Sequence, residues 1–314
     1  MFDLAMPQPC SFKKNLQEVT NERCTDLLKQ YKDRTIYVQW SGGTDSTLIV
    51  AALLKNTCIN DRKKIVIACN KDSVFEYPFF YFKFIEPNFE VIELETLQNE
   101  ISTQTKKNNY VIVDGFPADQ LVRFHEKHDL VRKGLMCVDV SKNPDTFVDY
   151  YVTTSGCSRD AAAWWYQAVK SNIDSMHMGL NTMGQWLWWN FFNSSYVMVR
   201  LRSFYKSNMT YSTFKDSWVN WYHTPDYQSW AMANHEETLL EDIYSYKSLF
   251  KNYIYELTND EWYRHFKQKS TTLSSHNQWT MHNQVDALTS DGTKLYIETD
   301  RETILELLPD HKNQ

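Results

Sequence analysis

The chain has 314 residues, is 42% hydrophobic and 15% aromatic, and carries a formal net charge of -6. This length and apolar content suit one large globular domain or two smaller ones. Charged residues are spread along the chain and form no basic block, which a general nucleic-acid binder would have. No nucleic-acid partner is therefore indicated, although a local basic groove would still fit this pattern. No stretch of about 18 apolar residues occurs, and we expect no membrane partner.

The cysteines and the first residues predict a cytoplasmic protein. Residues 1–15 lack a charged segment followed by an apolar run, so we expect no signal peptide. Six cysteines are scattered along the chain without a CxxC pair. This usage is typical of reduced thiols and lacks the ligand spacing of a zinc site.

Predicted strands and helices alternate in the first part of the chain. A segment of mixed charge with helical spacing of its apolar residues predicts an opening helix at 12–32. β-Branched and aromatic runs predict strands at 35–40, 63–70, 89–95 and 108–115, and the segments between them predict helices at 46–55 and 77–87. The alternation predicts an α/β fold with a parallel sheet and helices on both faces.

The pattern becomes mainly helical from about residue 150. We therefore predict two domains, an α/β domain with an N-terminal helix at 1–150 and a mainly helical region at 151–314 packed on it. Many tryptophans fall in the second region, where core packing explains them and an aromatic cleft is the alternative. The tail at 293–309 predicts a short strand and a helix.

Two of the eight glycines, Gly42 and Gly43, stand side by side between a predicted strand and a predicted helix. The first backbone N–H groups of a helix lack partners within it, and the helix dipole adds positive potential there, so a phosphate fits. Glycine lets the backbone approach a phosphate closely. Asp45 beside a phosphate indicates an intervening Mg²⁺. Further hydroxyl donors come from Ser41, Thr44 and Ser46.

The string Ser-Gly-Gly-Thr-Asp-Ser at 41–46 resembles the SGGxDS signature of the PP-loop family of ATP pyrophosphatases, with every fixed position matched. The resemblance implies a HUP-like nucleotide-binding fold in which residues 41–46 and Gly115 bind ATP. It also implies cleavage of ATP between its α and β phosphates. A substrate is then activated as an adenylate, from which a nucleophile displaces AMP.

The segment VIVDGFPADQL at 111–121 resembles a second signature, roughly GxGxDE, of the synthetase domain of asparagine synthetase and of β-lactam synthetase-like enzymes. Gly115, Ala118, Asp119 and Leu121 fall in register with it. The resemblance implies that Asp119 and Asp45 together hold Mg²⁺ on the pyrophosphate.

Three residues depart from that second signature. Phe116 stands where relatives place a glutamate or tyrosine that assists the amine, Pro117 replaces a glycine, and Gln120 replaces a glutamate. Phenylalanine cannot transfer a proton, so the amine chemistry is altered or moved elsewhere. Asp114 and Glu76 are the two candidates for that role.

Relatives in this branch also use a lysine late in the chain to stabilise charge at the α-phosphate. The candidates in this sequence are Lys247, Lys251, Lys267 and Lys269. We predict Lys267 or Lys269 as the catalytic residue because the KQK segment follows a helical run, as the lysine of the family does.

The resemblance therefore implies an ATP- and Mg²⁺-dependent ligase that adenylates a carboxylate or amide oxygen and transfers it to an amine. Its partners are a small-molecule or macromolecular acyl acceptor and an amine or ammonia donor. We expect no glutaminase domain, because Phe2 follows Met1 and the loop begins at Ser41. Two alternatives remain open: a PAPS-reductase-like or sulfur-transfer enzyme that needs a thiol, and an ATP-binding regulatory protein in which Phe116 marks lost catalysis.

Overall fold

The computed structural model describes residues 8–97, 109–116, 118–122, 127–207, 209–236 and 247–267. The chain divides into two compact units, each assembled from three segments. We call them the helical unit (Met1–Val19, Phe116–Lys206 and Tyr222–Tyr244) and the sheet unit (Thr20–Gly115, Ser207–Trp221 and Ser245–Gln314). The sequence predicted one boundary near residue 150, whereas both units draw on both halves of the chain.

The sheet unit contains a five-stranded parallel sheet, which confirms the predicted α/β class. Its strands are β1 (Thr35–Gln39), β2 (Ile65–Cys69), β3 (Glu90–Glu93), β4 (Tyr110–Asp114) and β5 (Trp218–Asn220), in the order β3-β2-β1-β4-β5. The four strands of the first part were predicted. Strand β5 was not, because three residues in a helical region are too short to show a strand period.

The strand order places a topological switch point between β1 and β4. From β1 the chain steps outward through β2 to β3, and then returns to the other side of β1 to form β4. In open sheets of this kind, ligands bind in the crevice beyond the carboxyl ends of the two strands that flank the switch point. The turn after β1 begins at Ser41 and the turn after β4 contains Gly115, so both turns follow these ends.

Most of the described residues outside the strands are helical. In chain order they are α1 (Leu16–Gln30), α2 (Thr44–Asn56), α3 (Ile59–Arg62), α4 (Lys71–Glu76), α5 (Pro78–Phe80), α6 (Ala118–Val122), α7 (Lys127–Arg132), α8 (Pro144–Ser155), α9 (Arg159–Met176), α10 (Met183–Ser207), α11 (Tyr211–Ser217), α12 (Pro225–Ala233), α13 (Ser248–Thr258) and α14 (Glu261–Phe266).

The helices predicted at 12–32 and 46–55 are confirmed as α1 and α2. The helix predicted at 77–87 is present as α5 followed by a π-helical turn at Tyr81–Ile85. The strand and helix predicted at 293–309 lie outside the described residues. Within the described part of the chain, no helix has both the length and the apolar character needed to cross a bilayer.

Tryptophans pack in the core of the helical unit, as one of the two interpretations predicted. Trp186 is buried and stacks on Tyr166, with 4.9 Å between the ring centroids. Trp188 and Trp189, on the same helix α10, are also buried. Trp164 on α9 differs, because 69% of it is exposed.

Strand β5 is held to β4 by the buried carboxylate of Asp114. The indole Nε1 of Trp218 and the amide Nδ2 of Asn220 each donate to it at 2.7 Å, one to each oxygen. Asp114 had been one of two candidates for proton transfer. Both of its carboxylate oxygens are engaged in joining the two strands.

Asparagine at position 114 would keep one acceptor oxygen and replace the other with an NH₂ group. Either Trp218 or Asn220 would then face a donor and lose its hydrogen bond. We expect the free energy of unfolding to fall by about 1–3 kcal/mol, the usual cost of a buried donor that loses its acceptor. Chemical denaturation followed by far-UV circular dichroism measures it. Asp216→Asn, at an exposed carboxylate on α11 close to β5, is the control. Identical midpoints for D114N and wild type would show that the two bonds contribute nothing.

Candidate functional site

The turn between β1 and α2 requires glycine at position 42. Gly42 has a φ of +74°, in the left-handed region. A β-carbon there would overlap Glu76 Cβ and the carbonyl oxygen of Ser73, both in α4. The backbone of the turn therefore lies directly against α4, and only glycine satisfies both the dihedral angle and the space.

Two serines hold the turn together from inside. The Ser41 N–H donates to Ser46 Oγ at 3.0 Å, and the Gly43 N–H donates to Ser41 Oγ at 3.3 Å. Ser46 Oγ also donates to the Gly43 carbonyl at 3.2 Å. The sequence predicted these hydroxyls as donors to a phosphate. In this structure they bond within the turn and set its shape.

Helix α2 begins at this turn without a side-chain cap. Gly43 is the N-cap residue, with extended backbone and no side-chain hydrogen bond to the first turn of the helix. The helix is 13 residues long, and ten of them are buried. An uncapped N-terminus with an aligned helix dipole favours an anion.

The turn after β4 lies against the start of the same helix. A β-carbon on Gly115 would be 3.4 Å from both Asp45 Cβ and the Ser46 backbone nitrogen. The two turns that the sequence singled out therefore meet at the carboxyl edge of the sheet.

A buried lysine from far along the chain reaches Asp45. Lys247 Nζ forms an ion pair with Asp45 Oδ1. The lysine side chain is only 1% exposed, whereas the aspartate side chain is 29% exposed. Lys247 is the N-cap residue of α13 and has a left-handed backbone, with φ +55°, which is costly for a residue other than glycine. Lys247 was one of four candidate lysines, but not one of the two preferred.

The preferred Lys267 is engaged elsewhere, in a buried ion pair with Glu76. Glu76 is the α4 residue that packs against Gly42, so this ion pair lies next to the turn. Glu76 had been the other candidate for proton transfer. Lys251 is fully buried in α13, one turn after Lys247. Lys269 lies outside the described residues.

Two buried tyrosines also pack beside the turn, where the sequence did not predict them. Tyr263 Oη lies 3.4 Å from Thr44 Oγ1. Its ring stacks on that of Tyr77, with centroids 4.0 Å apart, and Tyr77 Oη donates to Asp260 at 2.8 Å. Burial raises the pKa of both phenols, so both stay neutral at physiological pH. Neither residue belongs to the motifs at 41–46 and 111–121, and no local pattern predicts that the two rings stack beside the turn.

Comparison with known proteins identifies no relative. No family model, curated protein or solved structure matches this chain. The function proposed below therefore depends on the motif at 41–46 and on the geometry around it.

The second predicted motif is divided between the units. Gly115 belongs to the sheet unit, whereas Phe116 and Asp119 belong to the helical unit, and the magnesium pair Asp45–Asp119 stays a prediction. Phe116 is 43% exposed, with the Arg202 guanidinium 5.6 Å from its ring centroid. Across the described ranges, no group of three or more His, Cys, Asp or Glu side chains is placed to hold a metal ion.

Gln120, the third departure from the second motif, has a packing role in the helical unit. Its side-chain nitrogen donates to the Phe192 carbonyl at 2.8 Å and to Gln228 Oε1 at 3.1 Å. Both glutamines are buried. A buried amide needs such partners, so Gln120 links α6 to α10 and α12.

One cysteine lies at the carboxyl edge of the sheet. Cys69 ends β2 and is buried, and burial raises the pKa of its thiol to about 12. The thiolate is the nucleophilic form of cysteine. Cys69 is therefore poorly suited to the sulfur chemistry that one alternative requires.

Proposed function

We propose that this chain binds ATP at residues 41–46 and forms an adenylate, releasing pyrophosphate. One observation carries the proposal: the Ser-Gly-Gly-Thr-Asp-Ser turn lies at the switch point of a parallel sheet, with a buried lysine on its aspartate. Switch points of such sheets are where nucleotides bind. The family resemblance of the turn then selects adenylation among the reactions of nucleotide-binding folds.

The residues around the turn suit a magnesium–triphosphate substrate. Gly43, the N-cap residue, carries no β-carbon, so phosphate oxygens can approach the start of α2. Asp45 offers a half-buried carboxylate, the kind of ligand that Mg²⁺ takes beside substrate phosphates. A Mg²⁺ ion held by Asp45 would neutralise negative charge on the pyrophosphate leaving group.

Lys247 is the cation placed to assist at the phosphates, in the role for which the sequence analysis preferred Lys267 or Lys269. It already lies at the loop, and its ammonium group can donate to phosphate oxygens. Lys267 instead neutralises Glu76 and keeps α4 against Gly42. A fixed cation beside a site of developing charge stabilises the transition state more than it does the bound substrate.

The second step transfers the acyl group of the adenylate to an amine and releases AMP, as in the ligase branch that the sequence resembles. Asp119 is the proposed second carboxylate of the magnesium site. The high pKa of Cys69 disfavours that thiol as the sulfur carrier of the alternative enzyme. An ATP-binding regulatory protein remains the second candidate, and the experiment below separates the two.

Pyrophosphate release from ATP and Mg²⁺, measured with a mixed pool of carboxylates and amines, tests the proposal. We expect release that depends on one member of the pool and falls by at least about 100-fold in Asp45→Asn, since removal of one electrostatic stabiliser commonly costs that much. Asp33→Asn, at an exposed carboxylate of the same unit, is the control.

Three results of this assay would change the proposal. ATP binding by calorimetry without release for any pool member would favour the regulatory protein. Release that persists in Asp45→Asn would place the chemistry elsewhere. Failure of the wild type to bind ATP would remove the nucleotide interpretation of the turn.

A further inference from the structure

Two cations compete for the carboxylate of Asp45. The proposed function gives it to Mg²⁺, whereas in this structure Lys247 occupies its Oδ1. A cation bound to the same oxygen repels the ammonium group strongly at such short range. A metal ion that takes Asp45 therefore displaces Lys247 Nζ.

The backbone of Lys247 cannot move easily to make room. It is fixed at the start of α13, and α13 packs along α2. The flexible four-carbon stem of lysine is the part that can swing. Because this side chain is 1% exposed, its ammonium group reaches little water if it leaves Asp45.

A buried ammonium group without an anion is unstable. The uncapped start of α2, to which Asp45 itself belongs, favours an anion close to this lysine. A phosphate bound there would accept Lys247 while the metal takes Asp45.

We infer that Lys247 and a divalent cation exchange at Asp45, and that this exchange couples metal binding to phosphate binding. Without nucleotide, Lys247 neutralises Asp45 and keeps the metal off. When metal and phosphate arrive together, the metal takes the carboxylate and Lys247 pairs with the phosphate. The inference rests on the proposed function, since it assigns the phosphate to the same turn.

Two binding constants test the exchange, and Lys247→Met should change them in opposite directions. Mn²⁺ alone, titrated by electron paramagnetic resonance, is expected to bind K247M about 10-fold more tightly than wild type. Pyrophosphate at saturating Mn²⁺, titrated by calorimetry, is expected to bind K247M about 10-fold more weakly. Changes of this size are usual for two ligands coupled through one group.

The chain offers a matched control. Lys55 and Glu256 form a 2.6 Å ion pair between the same two helices, α2 and α13, at the end of α2 away from the turn. Lys55→Met should change neither constant. Lys247→Gln removes the charge but keeps a hydrogen-bond donor, so it repeats the test if K247M does not fold.

The results separate the exchange from the proposed function. Unchanged Mn²⁺ affinity in folded K247M or K247Q overturns the exchange, even if wild type binds ATP. Tighter Mn²⁺ binding with unchanged pyrophosphate affinity also overturns it, because Lys247 would then not pair with the phosphate. If wild type binds neither ATP nor pyrophosphate, the proposed function fails, whereas tighter Mn²⁺ binding by K247M would still show competition at Asp45.

Discussion

Gly42→Ala is expected to abolish ATP binding and to lower the free energy of unfolding by about 2–5 kcal/mol. The lower part of that range is the cost of a left-handed backbone for a residue with a β-carbon, and the remainder comes from overpacking. The φ of Gly42 is +74°, and its β-carbon would overlap Glu76 and Ser73. Relief of the overlap would move the turn away from α4, and the start of α2 would move with it.

Two other glycines separate the causes of that loss. Gly156 has a φ of +68° with nothing within 4 Å of the position of a β-carbon, so Gly156→Ala isolates the dihedral cost. Gly43 has an ordinary φ and a nearest contact of 3.3 Å, to Ser41 Oγ, so Gly43→Ala should lower the free energy of unfolding only slightly. Urea denaturation and ATP calorimetry provide the two measurements. A G42A variant as stable as G156A would show that α4 shifts to accommodate the β-carbon at no cost in stability.

Breaking the buried pair behind the turn should have an effect of similar size. Lys267→Met leaves Glu76 charged and without its cation, and Glu76→Gln does the same to Lys267. Each single variant is expected to lose about 3–5 kcal/mol of unfolding free energy, the usual cost of an uncompensated buried charge.

The double variant E76Q/K267M should recover a large part of this loss, because both charges of this pair are then removed. Denaturation of the four proteins gives the coupling energy of the pair. Lys170→Met, which breaks an exposed i,i+4 pair with Asp174, is expected to leave the denaturation curve unchanged. Additive losses in the double variant would mean that the two charges do not act as a pair.

The sequence predicted the strands and the turn at the carboxyl edge of the sheet because local patterns define them. Buried β-branched runs marked the strands, and the paired glycines marked the turn that Gly42 makes with its positive φ. Strand β5 could not be predicted, since Trp218–Asn220 pairs with β4 only after about a hundred residues of helical chain. Its anchor, Asp114, appeared to be an available acid because nothing local shows the donors it meets.

The lysines show the same limit at the site itself. Lys247 and Lys267 lie in similar helical surroundings in the sequence, and the sequence favours Lys267 or Lys269 because the KQK segment follows a helical run. The structure pairs Lys247 with Asp45 and Lys267 with Glu76, which depends on how α13 and α14 pack. Ion pairs between residues so far apart in the sequence depend on the tertiary fold, and no local sequence pattern predicts them.

These two ion pairs also set an order of events during synthesis. Asp45 and Lys247 are 202 residues apart in the chain, and Glu76 and Lys267 are 191 apart. The ribosome therefore makes the turn long before it makes either cation. Contacts of such long range form only after a large loss of chain entropy, and they slow folding. A nascent chain that ends before Lys247 contains Asp45 and Glu76 but neither lysine, so these two ion pairs form only after α13 and α14 have been synthesised.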